Sequence, residues 1–212
     1  GVEAKDSEKD FELTLSEILR VVQFAAANAS VPVISLKISS LARNGLLEKW
    51  QGKNVLETKE EVELAKVRKR LNRIMHFASD MGVGVFIDAE ETWVQDGMDV
   101  LVDELMESYN KKRVVVYNTY QMYRTDRLDF LKKSFEKAQS RNFYLGAKIV
   151  RGAYMEKERQ RAANLDQPSP IHPDKTSTDE AFDAAITFCV EHYNRISSCN
   201  ASHNSTSAMS MA

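Results

Sequence analysis

The stretch GAKIVRGAYMEKER, Gly146 to Arg159, sets Lys148 and Arg151 on either side of the apolar pair Ile149-Val150 and follows them with Gly152, Ala153 and Tyr154. Burying a cation at the end of an apolar run costs free energy unless the charge is paired or used. Other apolar runs of the chain end the same way. VPVISLKIS (31–39) carries Lys37, and VGVFIDAE (83–90) reaches Asp88 with Glu90 and Glu91 behind it. RVVVYNTY (113–120) ends at Asn118 with Tyr120 and Gln121, and the weaker RISSCNASHN (195–204) ends at His203 and Asn204. Cations gathered with one acid, one amide and a tyrosine suit an anionic ligand, such as a carboxylate substrate or a phosphorylated cofactor.

Each of these residues also has a plainer reading. Lys37 could be a strand-edge lysine that reaches back to water. Asp88, Glu90 and Glu91 could hold Mg²⁺ or Mn²⁺, or could cap a helix and complement its dipole. Strand alternation puts Asp88 and Glu90 on one side and Glu91 on the other, which assigns Glu91 to capping or the surface. Asn118 could end a strand in a turn, Tyr154 could cover a rim, and MEKERQRAA reads as a solvated helix face. His203 reads as an ordinary terminal histidine, no different by composition from His76, His172 and His192. Zinc spacings (H-x-x-x-H, C-x-x-C, H-E-x-x-H) are absent from the sequence, as is the G-x-S-x-G elbow of a serine nucleophile.

The elements that must position these residues follow from periodicity. The four strong runs are nearly continuous in apolar and β-branched residues, the pattern of buried parallel strands, and 195–204 is a weak fifth. Between them lie helical segments. LTLSEILRVVQFAAANA carries a possible capping box, Thr14 with Glu17. The segment starting at Thr58 carries another, with Glu61, and sets Leu64, Val67, Leu71, Ile74 and Ala78 on one face. Segments 96–110, 124–141 and 177–195 follow, the last with a third possible box, Ser177 with Glu180. Strand ends near Asp88, Asn118 and Val150 recur at roughly thirty-residue intervals, the length of a βα unit. Such units build an open doubly wound sheet or a barrel. No G-x-G-x-x-G follows the first strand and no P-loop occurs, which favours the barrel and brings the polar strand ends to one rim.

Composition excludes other classes. Net charge is −2, so no basic field points to a nucleic-acid partner. No apolar run approaches the roughly 18 residues of a membrane span, and GVEAKDSEKD has neither a signal-peptide core nor an Arg-rich transit pattern. Cys189 and Cys199 lack metal spacing and are too few for a disulfide framework, which points to a reducing compartment. The sequons at Asn28, Asn200 and Asn204 then read as chance matches. With 8 Gly and 4 Pro and no linker-like tract, residues 1–204 read as one domain and 205–212 as a Ser-rich end.

VFIDAEETW, VYNTYQMYR, GAKIVRGAYMEKER followed by PI-x-P-x-K-x-x-TD, and CNASHN, in this order, resemble the FAD-dependent proline dehydrogenase family. The wording NTYQ and RGAYMEKER is closer to its monofunctional members than to the bifunctional proline utilization flavoproteins. The resemblance implies an α/β fold, a distorted (βα)8 TIM-type barrel present here incompletely. It also implies oxidation of L-proline to Δ1-pyrroline-5-carboxylate, with hydride passed to FAD and electrons to a membrane quinone. Peripheral membrane association would follow, in the bacterial cytoplasm or at the inner face of its membrane, or alternatively in mitochondria. Carried over residue by residue, Lys148 matches a cation beside the flavin N5, a position held by arginine in many bifunctional relatives. Arg151, Asn118 and Gly152 match further cofactor contacts, and Thr178 and His203 match positions near the pyrophosphate or adenosine. Lys37 matches a lysine that holds the proline carboxylate, Tyr154 a wall of the proline pocket, Asp88 a pocket acid, and Glu3 a gate glutamate. The family's last strands and its arginine-pair helix have no counterpart in residues 1–212, so the middle of a barrel is expected, inactive by itself. Two other readings stay open: a lyase or aldolase using Lys37 or Lys148 as a Schiff base, and a non-catalytic scaffold portion that joins a missing piece.

Overall fold

Each apolar run becomes a strand in a computed structural model that describes residues 7–52 and 54–200. Glu3, His203 and the Ser-rich end lie outside the described residues. The strands are β1 (Val33–Leu36), β2 (Gly84–Ile87), β3 (Val116–Gln121), β4 (Leu145–Val150) and β5 (Ile196–Asn200). The helices are α1 (Glu8–Ala26), α2 (Asn44–Gln51), α3 (Thr58–Met81), α4 (Thr92–Tyr109), α5 (Arg127–Ser140), α6 (Met155–Asn164) and α7 (Lys175–Glu191).

All neighbouring strands pair in parallel, and their order in the sheet is β1-β2-β3-β4-β5. A doubly wound sheet reverses direction at its first strands and puts helices on both faces. Here every crossover adds the next strand on the same side, so right-handed connections lay the helices along one face. This is the winding of a barrel wall, and the expected α/β parallel sheet of barrel type is what the chain forms. Strand side chains alternate. Ile34 and Leu36, Val85 and Ile87, Ala147 and Ile149 are buried in the core with helix residues such as Leu71, Ile74, Met98 and Phe182. Ser35 on the other face is exposed, and Phe86, Tyr117 and Lys148 are partly so. The other face is free to carry polar groups.

The expected inward face of α3 holds, with Leu64, Val67, Leu71, Ile74 and Ala78 all buried. The helix starts differ. Helix α1 begins at Glu8, capped by Ser7, whose hydroxyl accepts the Asp10 N–H at 3.2 Å. Thr14 and Glu17 lie inside that helix, because Phe11 extends the buried row of Leu15, Val22 and Ala25 one turn back. The box of α3 is Glu57 with Glu60, one residue before the expected pair. Asp174 caps α7 through the Ser177 N–H at 2.8 Å, leaving Ser177 and Glu180 within the helix. Strand β3 does not end at Asn118. Its register against β4 runs on from Asn118–Ala147 to Gln121–Val150. The short α2 was not expected; its Leu46 and Leu47 are buried, and Gln51 Oε1 accepts the Asp96 N–H of α4 at 3.0 Å.

Candidate active site

Two lysines meet two oxygen partners at the carboxyl ends of β1, β2 and β4. Lys148 Nζ, projecting from β4 away from the helices, donates to Asp88 Oδ1 at 2.8 Å. It stands 5.4 Å from the centroid of the Phe86 ring. Phe86 packs edge-on against Tyr117, centroids 5.0 Å apart, and the Tyr117 hydroxyl lies 3.0 Å from the Ser197 hydroxyl on β5. Lys37 follows directly after β1, and its Nζ donates to the Tyr154 hydroxyl at 3.2 Å. The bond to Tyr154 raises the Lys37 ammonium above its ordinary value; partial burial opposes this, and the nearby Tyr154, Glu90 and Asp88 reinforce it. Lys37 therefore keeps its proton throughout the neutral range.

Local backbone geometry explains why these side chains converge. The Asp88 N–H donates to the Leu36 carbonyl at 2.8 Å, which sets the end of β2 beside Lys37. Tyr154 is the residue that caps α6, and the chain reaches it through a turn at Gly152 with φ of +142°. That conformation favours glycine, and a Cβ at Gly152 would lie 2.4 Å from Cγ of Tyr123. The turn thus needs glycine for its own packing, whatever it contacts besides.

A second polar group lies at the start of α7. Arg151 Nε donates to Asp179 Oδ1 at 2.5 Å, and its guanidinium stacks 4.1 Å from the Phe182 ring centroid. Lys175 bonds the other Asp179 oxygen, and the bonds from Lys175 and then Arg151 pull the Asp179 carboxyl below its usual range. Thr178 is buried in this first turn, its Oγ1 on the Asp174 carbonyl at 3.2 Å. The turn 151–154 joins this group to the lysine pairs.

Asn118 stands apart from both groups. It lies on the helix-facing side of β3, donates from Nδ2 to Asp99 Oδ1 of α4 at 2.9 Å, and accepts the Thr119 N–H. Thr119, not Asn118, pairs in register with Lys148, and a strand places successive residues on opposite faces, so Asn118 turns to the helix side. His203 and Glu3 fall outside the described residues. The three carboxylates after β2 also part company. Asp88 holds Lys148, the buried Glu90 accepts the Ser39 N–H at 3.1 Å, and Glu91 pairs with Lys157 at 2.7 Å. Burial pushes the Glu90 carboxyl up, against the pull of Ser39 and Lys37. Among the described residues no group of three or more His, Cys, Asp or Glu is placed to hold a metal ion.

Several residues lie inside the quoted motifs without being singled out by the sequence. Phe86 and Tyr117 form the floor of the site; Phe86 lies two residues before Asp88, so the strand period carries its signal. Glu158 hides in the charged run of α6, yet it is buried and holds the Thr92 N–H at 2.8 Å and the Thr92 hydroxyl at 2.7 Å. MEKERQRAA is a solvated face apart from that residue and Ala162.

Comparison with known proteins places this geometry in context. The family model described as proline dehydrogenase matches residues 1–212. Mitochondrial proline dehydrogenase 1 of Drosophila melanogaster is 36% identical over 142 residues, covering 67% of this chain and 21% of that protein. The carbapenem antibiotics biosynthesis protein CarD of Pectobacterium carotovorum subsp. carotovorum is 29% identical over 207 residues, covering 98% of this chain and 54% of that protein. Among solved structures, proline utilization A from Bdellovibrio bacteriovorus inactivated by N-propargylglycine superposes with a TM-score of 0.83 over 99% of this chain and 23% of that one. At 20% identity this likeness concerns the fold. The chain spans 21% to 54% of the length of these proteins.

Proposed function

Because the chain belongs to the proline dehydrogenase family, we propose that the whole protein containing these residues oxidises L-proline to Δ1-pyrroline-5-carboxylate at the rim formed by β1, β2 and β4. The observation that carries this reading is the side-by-side arrangement of Lys148 with Asp88 and of Lys37 with Tyr154. Lys37 and the Tyr154 hydroxyl bind the substrate carboxylate and fix the ring against the aromatic face of Tyr154. Asp88 orients Lys148 and accepts a hydrogen bond from the substrate ammonium. Lys148 stabilises negative charge that grows in the transition state.

The residues present fit a bound FAD. Lys148 and Arg151, a turn at Gly152 without a side chain, and the first turn of α7 with Thr178 next to Asp179, the partner of Arg151, together suit an anionic dinucleotide. When bound, the flavin would supply the two-electron acceptor for a hydride from proline C5, the C5=N bond forming as the ring nitrogen releases one proton to solvent. Arg151, Gly152 and Thr178 would hold its phosphate side, and Lys148 would supply positive charge to its reduced form. A membrane quinone, at the mitochondrial inner membrane or the bacterial cytoplasmic membrane, would be the final acceptor, with the protein bound peripherally. None of the helices among the described residues is long and apolar enough to cross a membrane. A Schiff-base role for Lys37 is disfavoured, since such a lysine must shed its proton and the bond to Tyr154 holds it on.

The whole protein, purified, should show flavin absorbance and proline-dependent reduction of an artificial acceptor. A preparation with neither overturns the reading. Lys37→Met should weaken a carboxylate-bearing proline analogue about tenfold, the low end for a charged hydrogen bond because Lys37 is exposed. Titration of the analogue measures this, and unchanged affinity rejects the role.

A further inference from the structure

We infer that Gln121 is a positioning residue for the proposed proline site, acting together with Glu90; this rests on the function proposed above. The two lysine pairs join loops whose strands are not all neighbours. Lys37 follows β1 and Tyr154 follows β4, and β2 and β3 lie between those strands. Backbone bonds link each strand end only to its neighbour, as from Asp88 to Leu36 and from Tyr123 to Arg151, so the span from Lys37 to Tyr154 depends on ties that join more than two loops.

Gln121, the last residue of β3, is 3% exposed and spends both ends of its amide on this task. Its Nε2 donates to the Glu90 carbonyl at 2.8 Å, and its Oε1 accepts the Ala153 N–H at 3.1 Å. Glu90, 4% exposed, completes the junction. Its carboxylate accepts the Ser39 N–H at 3.1 Å, and its own N–H donates to Gln95 Oε1 at 2.7 Å. Gln95 is in turn anchored on Asp99, Nε2 to Oδ1 at 2.9 Å. Ser39 lies two residues after Lys37, Glu90 two residues after Asp88, and Ala153 directly before Tyr154. Three loops that carry three of the four paired side chains thus meet at two buried groups outside the pairs themselves. Buried polar atoms with defined partners resist displacement, since each broken bond leaves an unpaired group in a dry place. A shift of about 1 Å in such a loop is enough to cost a hundredfold in rate.

The test uses two variants of the whole protein. Gln121→Met keeps the volume and removes both bonds; kcat for proline should fall about ten- to a hundredfold. Amide hydrogen exchange of the 151–155 segment should rise about tenfold while that of 145–150 stays protected. Gln121→Glu separates positioning from mere packing. Its neutral carboxyl can donate to the Glu90 carbonyl and accept from Ala153, whereas the charged form has no hydrogen to donate. Burial favours the neutral form, so the ratio of variant to wild-type rate should rise as pH falls. The ionisable groups on the surrounding loops (Lys37, Asp88, Glu90, Lys148, Arg151, Tyr154) are common to both proteins, and repulsion between the new carboxyl and Glu90 acts in the same direction, favouring the neutral form as pH falls. Unchanged exchange at 151–155 in the methionine variant overturns the inference whatever the activity. So does a glutamate variant whose ratio is flat with pH. A wild-type protein that leaves proline unoxidised, but whose 151–155 exchange still responds to Gln121→Met, overturns the proposed function instead.

Discussion

Replacing Lys148 with methionine in the whole protein is expected to slow proline oxidation about a hundred- to a thousandfold while leaving proline affinity within about threefold. Methionine keeps an unbranched apolar side chain and removes the charge, together with the cation that stands over the Phe86 ring. An interaction that strengthens as negative charge develops contributes to kcat and little to ground-state binding. The alternative is that Lys148 holds the substrate carboxylate, in which case affinity falls and the maximal rate does not. Single-turnover mixing over a range of proline concentrations separates the two, because it yields the rate constant and the dissociation constant independently. The Asp88 carboxylate, 2.8 Å from Nζ, would lose its partner in this variant. Its unpaired charge could itself repel the electron-rich transition state. Lys148→Met combined with Asp88→Asn tests this: a double variant as slow as the single one assigns the loss to the missing cation. Lys148→Arg should retain most of the rate, since either cation can supply the charge.

That prediction concerns a residue legible in the sequence, and the reason is physical. Lys148, Lys37 and Asp88 interrupt or end apolar runs, and burial makes such interruptions costly enough to stand out. Strand identity was legible on the same ground, and the absence of a glycine-rich turn separated a barrel wall from a doubly wound sheet. What the sequence does not carry is pairing. Asp88 lies 60 residues from Lys148, and Lys37 lies 117 from Tyr154. Only the sheet order β1-β2-β3-β4 brings them to one rim.

Which face a strand residue takes in the sheet is not written in that strand alone. Asn118 is one residue out of phase with the face that carries Lys148, because Lys148 pairs in register with Thr119. Register depends on the partner strand, which periodicity within a single strand does not reveal. The capping boxes fail for a related reason. Several hydroxyls and carboxylates precede each helix, and the buried row decides which turn is first; Phe11 settles α1 at Ser7 instead of Thr14. Glu158 reads as one charge in a charged run until Thr92, 66 residues away, is folded against it.

The largest loss of stability is expected from Asp99→Ala, at about 3 kcal/mol, the low end of the cost of removing one partner of a buried ion pair, since Arg127 keeps two exposed carboxylates. Asp99 is 4% exposed, and its Oδ2 accepts from Arg127 Nη1 at 2.5 Å. Its Oδ1 accepts from both Asn118 Nδ2 and Gln95 Nε2 at 2.9 Å. Burial works against the Arg127 charge, but Asp99, Asp126 and Asp96 outweigh it and hold the guanidinium above its ordinary value. Without Asp99 that guanidinium keeps Asp96 and Asp126, both exposed, and two buried amides lose an acceptor. Denaturant unfolding of wild type and variant measures the difference. Asp99→Leu combined with Arg127→Met should cost much less than the sum of the two single changes, since removing both charges of a buried pair avoids the stranded one. Strict additivity would mean that the two side chains stabilise the protein independently. Because Gln95 links Asp99 to the Glu90 amide, Asp99→Ala should also loosen the loop that carries Asp88. A variant that loses stability yet keeps wild-type exchange in residues 88–91 would confine Asp99 to holding α4, β3 and α5 together.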